Sequence, residues 1–274
     1  MKKSKVIVIT SGKGGVGKTT ISANIGASLA LMGYDVCLID ADIGLKNLDL
    51  VLGLENRIVY TILDVIKGGK SPLEAVVKHK QIKKLNLLAS SQIANKDMIS
   101  PEDMKFIISE LSKHFDYVIV DSPAGIERGF KNAVVAAQHA IVVTTPELTA
   151  ISDADRVIGL LENEKFQEDN ISLIVNRIKL HMINKNEMLS PEDIRTGLAV
   201  ELLGVVPDSE EIIIATNKGI PITLEDNSKI SNIFMNIAQR IAGKENPIEN
   251  DFALLKDDSK KGFMRFFQKM FGGR

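Results

Sequence analysis

Short apolar runs rich in β-branched residues alternate with longer amphipathic segments along most of the chain. The runs have the length and composition of buried strands, and the segments between them repeat their apolar residues at helical spacing. Strands are therefore predicted at 5–10, 35–40, 85–88, 117–121, 140–145, 171–176 and 202–206, and helices at 19–32, 101–113, 150–164 and 229–242. Apolar strands joined by helices predict an α/β fold, with a mostly parallel central sheet and helices on both faces.

Two helix starts carry a clear local signal. Residues 100–103 and 190–193 both read Ser-Pro-Glu-Asp. Serine is a favoured N-cap, proline fits the first helical position, and the two acids suit the positive end of the helix dipole. Both segments are predicted to begin helices.

The composition changes once, near Gly243. Residues 244–259 are polar and acidic and contain Pro247, which predicts a flexible linker after a single domain at 1–243. The last segment, 260–274, is predicted to be a separate amphipathic helix. No apolar run in the sequence reaches the roughly 18 residues that a spanning helix needs, so we expect a cytoplasmic protein.

One glycine-rich segment follows the first predicted strand and precedes the first predicted helix. Residues 12–19 read Gly-Lys-Gly-Gly-Val-Gly-Lys-Thr, the spacing of a Walker A phosphate-binding loop. The glycines let successive backbone N–H groups point at an anion, and the helix start adds its positive dipole end. Lys18 is expected to reach the β- and γ-phosphates of ATP, and the Thr19 hydroxyl to bind Mg²⁺. The predicted nucleotide-binding residues of this loop are Gly12, Lys13, Gly14, Gly15, Val16, Gly17, Lys18, Thr19 and Thr20.

Acidic residues follow two predicted strands at their carboxyl ends, where open α/β sheets bind ligands. Asp121 ends the strand 117–121 in a Walker B pattern and is predicted to hold Mg²⁺ through its water shell. Asp42 follows the strand 35–40 and is predicted to join the metal site and to orient the attacking water. Either Asp42 or Asp40 could instead cap the next helix, a role that suits Asp40 better.

A second lysine stands early in the phosphate loop. With Lys13 at this position, the loop resembles that of the deviant Walker A ATPases, a branch of the P-loop NTPases. The resemblance implies that Lys13 reaches across a dimer interface to the partner's nucleotide and takes part in catalysis there. Because Lys18 already neutralises the terminal phosphates in its own subunit, a second cation supplied by the partner would make dimerisation depend on the triphosphate.

Three further segments narrow the resemblance: residues 42–49 (Asp-Ile-Gly-Leu-Lys-Asn-Leu-Asp), residues 121–127 (Asp-Ser-Pro-Ala-Gly-Ile-Glu) and residues 260–267 (Lys-Lys-Gly-Phe-Met-Arg-Phe-Phe). In this order they resemble the first switch, the second switch and the membrane-targeting sequence of the MinD family. The resemblance runs from residue 5 to residue 271. It implies an ATP-dependent homodimer, slow hydrolysis of ATP to ADP, recruitment of the division inhibitor MinC, and stimulation by MinE or another topological factor where one exists.

The resemblance also places adenine recognition at two strand ends. Asn176 and Arg177 follow the strand body 171–175, and Asn176 carries the donor–acceptor pair that fits an adenine edge. Pro207 and Asp208 would lie on the other side of the base. Asn and Pro at strand ends are commonly turn residues, so these assignments depend on the resemblance. Helix residues 147–156 are expected at the dimer edge, with Asp153 as a polar contact.

The tail has the pattern of an interfacial helix. Its apolar residues fall on one helical face or beside it, and Arg265 and Lys269 lie opposite. Because the whole chain carries −1 and residues 260–274 carry five basic residues and no acid, the rest carries −6. This separation of charge favours anionic lipid at the inner face of the cell membrane over a nucleic-acid surface. The predicted lipid contacts are Phe263, Met264, Phe266, Phe267, Met270 and Phe271.

Other interpretations of the same loop stay open. A ParA-type partition ATPase would use it to bind DNA nonspecifically, and a flagellar-number regulator also ends in an amphipathic helix. An iron–sulfur carrier of the same superfamily would need more than the single Cys37. The tail could also dock onto its own domain, since a core helix is amphipathic as well.

Overall fold

The computed structural model describes residues 4–43, 47–91, 98–126, 128–226 and 228–255. The strands in this part of the chain are β1 Lys5–Thr10, β2 Val36–Asp40, β3 Val77–Lys78, β4 Leu85–Leu88, β5 Tyr117–Asp121, β6 His139–Thr144, β7 Ile171–Ile178 and β8 Glu201–Pro207. They form one sheet in the order β3-β4-β2-β5-β1-β6-β7-β8. Neighbours pair in parallel, except that β3 is antiparallel to β4.

Helices cover both faces of this sheet. Those in the described residues are α1 Lys18–Leu31, α2 Leu48–Val51, α3 Ile62–Ile66, α4 Pro72–Ala75, α5 Pro101–Leu111, α6 Arg128–Val134, α7 Leu148–Asn163, α8 Leu180–Asn184, α9 Pro191–Leu198, α10 Glu210–Asn217, α11 Lys229–Ile241 and α12 Glu249–Leu255. Side chains alternate along a strand, so Ile7 and Ile9 pack with α1 and α11, whereas Val6 and Val8 pack with α5 and α7. The predicted α/β class, with a mostly parallel sheet and helices on both faces, is confirmed.

The two predicted helix starts are capping boxes. Ser100 Oγ accepts a hydrogen bond from Asp103 N (3.1 Å), and the Asp103 carboxylate accepts one from Ser100 N (2.9 Å). Ser190 and Asp193 repeat the arrangement at 3.1 and 3.2 Å. Helices α5 and α9 therefore begin where their local sequence predicts.

Two features of the sheet differ from the prediction. Strand β3 has two residues and was not predicted, because so short an edge strand has no alternating pattern of its own. Strand β7 continues to Ile178, two residues past the predicted end. Arg177 lies there in a left-handed conformation (φ 58°), and the pairing of β7 with β8 is irregular between Val175 and Ile178.

The segment after α11 differs from the predicted linker. Residues 244–255 pack on the domain, because α12 buries the Phe252 ring in the core and the Asp251 carboxylate beside α11. Residues 256–259, the tail 260–274 and all six predicted lipid contacts lie outside the described residues. Among the helices of the described ranges, none combines the length and the apolar character needed to cross a membrane.

Candidate nucleotide-binding site

The predicted phosphate and metal residues meet at the carboxyl edge of three neighbouring strands. The loop 11–17 connects β1 to α1, and β1 lies beside β5, which lies beside β2. Asp40 at the end of β2 is in register with Asp121 at the end of β5. Asp121 is also in register with Ile9 of β1, just before the loop. Residues far apart in the chain are thus brought to one edge by the strand order.

The loop has a shape that only glycine permits at two positions. Gly17 adopts φ +98°, and a Cβ there would lie 2.3 Å from Nδ2 of Asn176. A Cβ at Gly12 would lie 2.2 Å from the carbonyl oxygen of Asp153. At Gly12 the short distance would force the backbone to move, and at Gly17 the Asn176 side chain would have to leave its hydrogen bond to Val16 O. The loop therefore packs closely against α7 on one side and the end of β7 on the other.

Lys18 opens α1 and points into a buried, acidic environment. The residue is 8% exposed. Burial lowers the pKa of Lys18, while the nearby carboxylates of Asp121 and Asp42 raise it. A largely desolvated ammonium favours anionic partners strongly, since the competing water has been removed. Lys18 is therefore well suited to bind the terminal phosphates of a nucleotide.

Asp121 lies at the base of the site. Its side chain is buried, and Oδ1 accepts a hydrogen bond from Ser22 Oγ at 2.8 Å. Burial raises the pKa of Asp121 to about 6, although the hydroxyls of Ser22 and Thr19 and the charge of Lys18 act to lower it. Ser22 was not predicted, yet its position one helical turn after Lys18 is a usable signal.

Asp40 and Asp42 occupy different environments on the loop after β2. Asp40 is 2% exposed, and burial followed by the charge of Asp121 raises its pKa well above the usual range. Its two oxygens accept hydrogen bonds from Asp42 N (3.0 Å) and from Leu48 N (3.4 Å) at the start of α2. The carbonyl of Asp42 accepts a hydrogen bond from Ser90 Oγ at 3.2 Å. Asp40 thus anchors the loop and the next helix, whereas Asp42 is less buried.

The donor set fits Mg²⁺ bound together with a nucleotide. In the ranges that the structure describes, no group of three or more His, Cys, Asp or Glu side chains forms a complete metal cage. Mg²⁺ does not need one, because it keeps several waters and binds through one or two carboxylates together with phosphate oxygens. Thr19, Asp121 and Asp42 would supply the protein side, since one hydroxyl and two carboxylates are the oxygen donors that Mg²⁺ prefers.

Lys13 lies at the outer side of the loop. Its Nζ donates hydrogen bonds to Glu147 Oε2 (3.0 Å) and to Thr149 Oγ1 (3.2 Å) at the start of α7. The two charged side chains are 40% and 61% exposed. This contact within the subunit was not predicted, because Lys13 and Glu147 are 134 positions apart.

The predicted adenine residues surround the ends of β7 and β8. Asn176 is 6% exposed; its Nδ2 donates to Val16 O at 2.7 Å, and its Oδ1 accepts from Arg177 N at 2.9 Å. Pro207 ends β8, and Asp208 pairs with Lys179 at 3.1 Å. Asn176 therefore braces the phosphate loop, a role that the sequence did not reveal. The contact of Asn176, Arg177, Pro207 and Asp208 with adenine stays a prediction.

Both predicted switch segments are described in part. Residues 44–46 of the first and Glu127 of the second lie outside the described residues. In the described part of the second switch, Gly125 N donates to Ser11 O at 3.1 Å. The second switch thus contacts the residue that precedes the phosphate loop.

Comparison with known proteins agrees with this geometry. A ParA family model, described as NUBPL iron-transfer P-loop NTPase, matches residues 2–242. The septum site-determining protein MinD of Thermotoga maritima is 62% identical over 97% of this chain and 98% of its own length. The solved MinC:MinD cell division protein complex of Aquifex aeolicus matches at TM-score 0.83 and 48% identity, over 89% of this chain and 98% of that chain.

A further solved structure is similar and contains a nucleotide. MinD of Pyrococcus horikoshii complexed with Mg-ADP matches at TM-score 0.79 and 29% identity, over 87% of this chain and 96% of that chain. The family match over residues 2–242 spans the loop, both metal-side aspartates and the strand ends on which the site is built. The chain belongs to the MinD family of septum site-determining proteins, P-loop ATPases of the ParA group that use ATP and Mg²⁺.

Proposed function

We propose that this chain is an ATP-timed membrane switch that controls the placement of the division septum. ATP binding brings two copies together, the paired tails bind the inner face of the cell membrane, and the dimer recruits MinC. The observation that carries the proposal is the near-full-length similarity to septum site-determining proteins, joined to the meeting of the predicted phosphate and metal residues at one edge of the sheet. The solved complex of the Aquifex aeolicus relative with MinC supports the choice of partner.

The chain's own residues account for the chemistry of hydrolysis. Backbone N–H groups of the loop and Lys18 hold the phosphates, and Asp42 orients the attacking water. The backbone around Asp42 is fixed by Asp40 on one side and Ser90 on the other, which favours a constant position for its carboxylate. When bound, Mg²⁺ would neutralise charge between the β- and γ-phosphates.

Lys13 would act in the partner's site after leaving its contact within the subunit. In this structure its Nζ is held by Glu147 and Thr149. An ion pair as exposed as this one is worth only about 0–1 kcal/mol, so a γ-phosphate presented by the partner competes with it easily. Dimerisation would then depend on the triphosphate, since ADP offers Lys13 no phosphate at that position.

The alternative functions of the superfamily have weaker support. The solved ParA family ATPase of Chlorobium tepidum is 21% identical in sequence to this chain. An identity this low supports a shared fold and nothing more. Iron transfer would need accessible cysteines, and Cys37 is fully buried in β2. Partition and flagellar-number control are therefore kept as outcomes of the test.

Co-sedimentation with lipid vesicles tests the proposal. The full chain and a chain that ends at Asp258 are mixed with anionic or neutral vesicles in ATP or ADP. We expect only the full chain to pellet, only with anionic vesicles, and much more in ATP than in ADP. Addition of MinC should then bring MinC into the same pellet. If both chains ignore lipid, or if both bind DNA in ATP, the membrane switch is refuted and partition becomes the better function.

A further inference from the structure

Arg240, near the end of α11, fastens the segment 244–255 to the edge of the sheet. Its Nε donates to Asn246 O (2.7 Å), and its Nη2 donates to Pro247 O (3.1 Å). Its Nη1 donates to Leu203 O of β8 (2.9 Å). Both Nη atoms also donate to the Asp251 carboxylate, at 2.7 and 2.9 Å. Five hydrogen bonds from one guanidinium thus connect α11, β8 and the segment that leads to the tail.

The other partner of this contact is fully buried. The Asp251 side chain is 0% exposed, and that of Arg240 is 12% exposed. Asn236 Nδ2 donates to Asp251 Oδ1 at 3.0 Å, and Asn246 Nδ2 donates to Asn236 Oδ1 at 2.9 Å. Phe252, the next residue along, is 3% exposed. The contact is bidentate and buried, so removing one partner would leave the other charge buried and unpaired, which strongly disfavours the docked position of the segment.

We propose that Arg240 and Asp251 are positioning residues for membrane binding, because their contact fixes the point on the domain from which the tail departs. We call this contact the clamp. With the clamp closed, only residues 256–259 separate the docked helix α12 from the tail at 260–274. We call the chain between the docked part of the domain and the tail the tether. With the clamp open, the tether would lengthen to the whole segment 244–259. The inference rests on the proposed membrane function and adds a structural requirement to it.

The tether length matters because two tails act together in a dimer. Four extended residues span at most about 14 Å, whereas sixteen span about 55 Å. Once one tail is bound, and for a tether that already reaches the membrane, the effective concentration of the second tail falls roughly as the −3/2 power of tether length. A fourfold longer tether therefore lowers the two-tail affinity about eightfold. A single tail has no such dependence, so the monomer in ADP should be unaffected.

Lengthening the tether with the clamp intact is the direct test. Twelve Gly/Ser residues inserted between Asp258 and Ser259 give a tether of the open length in a chain whose domain is unchanged. Arg240→Gln opens the clamp without an insertion, and the two changes are also combined. Arg195→Gln is the matched control, since Arg195 also forms an ion pair with a carboxylate, that of Glu192, but on the exposed side of α9.

Binding to anionic vesicles is measured for each chain in ATP and in ADP. We expect the insertion and Arg240→Gln each to weaken binding about eightfold in ATP and to leave binding in ADP unchanged. The combined variant should lose only about a further twofold, because its tether grows by a smaller ratio. Arg195→Gln should bind like the native chain. An insertion variant with native affinity in ATP would overturn the positioning role, even if Arg240→Gln failed to fold.

Hydrogen exchange without lipid tests the clamp independently. Amides of 249–255 should exchange slowly in the native chain and fast in Arg240→Gln, while β1 stays protected in both. Slow exchange in Arg240→Gln would overturn the clamp. If the native chain does not bind vesicles in ATP, the proposed function is refuted. If the native chain binds them but the insertion variant binds equally well, only the inference about the clamp is refuted.

Discussion

At the scale of single residues, Lys18 is the buried cation of the phosphate loop. Its buried ammonium faces Asp121 and Asp42, so it stabilises two carboxylates as well as the phosphates it is predicted to bind. We expect Lys18→Ala to lower the affinity for Mg-ATP by ~100-fold, since a buried charge-assisted hydrogen bond contributes about 3 kcal/mol. Binding of a fluorescent ATP analogue checks this, with Lys84→Ala, remote from the site, as the matched lysine control. ATPase activity retained in Lys18→Ala would contradict the site.

His79 gives a prediction about stability and pH. Its Nδ1 accepts hydrogen bonds from Gln81 N (3.2 Å) and Ile82 N (3.0 Å) in the turn between β3 and β4. Burial lowers the pKa of His79, so in the window just below about 6.5 the unfolded chain binds more protons than the folded one. The free energy of unfolding therefore rises with pH through this window. The stability that neutral His79 provides is complete above pH ~6.5 and is lost as the pH falls.

His79→Asn separates the hydrogen bonds from the titration. The Asn side chain places an acceptor near the position of Nδ1 but carries no ionisable group. Urea unfolding at pH 7.5 and pH 5.0 should show a smaller loss of stability on acidification in the variant than in the native chain. His181→Asn, at an exposed position of α8, is the control and should keep the native difference. An unchanged pH dependence in His79→Asn would contradict the assignment.

At the scale of elements, the phosphate loop depends on what packs around it. Gly17→Ala would place a Cβ against Asn176 in a left-handed conformation, whereas a Cβ at Gly14 meets only Ala124 at 3.8 Å. The left-handed backbone alone costs roughly 1–2 kcal/mol for alanine. Urea unfolding without nucleotide should therefore show Gly17→Ala destabilised by at least ~1 kcal/mol. Gly14→Ala should stay within about 0.5 kcal/mol of the native chain. Equal stability of the two variants would show that the loop can relax.

The helix starts and the loop could be predicted because their chemistry is local. The capping boxes at Ser100 and Ser190 join residues three positions apart, and the loop is one continuous motif. The brace from Asn176 to Val16 spans 160 positions, so no local pattern encodes it. It exists because β7 lies two strands from β1 in the sheet order. Sequence reasoning found the parts of the site but not the contacts that hold them together.

The docking of the segment 244–255 also depends on contacts that the local sequence pattern did not predict. Its polar composition predicts a flexible linker, and most of its residues are exposed or half-exposed as that composition requires. Two side chains nevertheless fasten the segment to the domain: Phe252 is buried in the core, and the Asp251 carboxylate accepts hydrogen bonds from Arg240. The apolar run 252–255, together with Ile248 four residues before it, was the available signal. Average composition hides it, because docking a short helix needs only one or two buried anchors.

At the scale of the whole molecule, the predicted nucleotide site and the contact that fastens the segment leading to the tail lie at different ends of the sheet. The nucleotide site lies at the carboxyl edge of the sheet, and Arg240 fastens the segment that leads to the tail beside Leu203, near the start of β8. The tail is basic and the rest of the chain carries −6, so the proposed attraction to anionic lipid would be concentrated in one short segment. Under the proposed function, one tail would bind weakly, because a short segment is at best a marginal helix in water. The dimer would then be the step that converts nucleotide state into membrane affinity.

Lys13→Ala tests this coupling in the whole molecule. Because Lys13 is bound to Glu147 and Thr149 rather than to the base of its own site, its loss should change nucleotide affinity only severalfold. Dimer formation with a slowly hydrolysed ATP analogue should disappear in sedimentation velocity, since the trans contact to the γ-phosphate is gone. Vesicle binding in ATP should then fall by ~100-fold, to the level in ADP, because two-tail avidity requires the dimer. Lys70→Ala is the control: Lys70 also pairs with a glutamate, Glu74, at 3.3 Å but on α4. A Lys13→Ala chain that still dimerises and binds vesicles would show that the lysine acts only within its own subunit, and the coupling would need another residue.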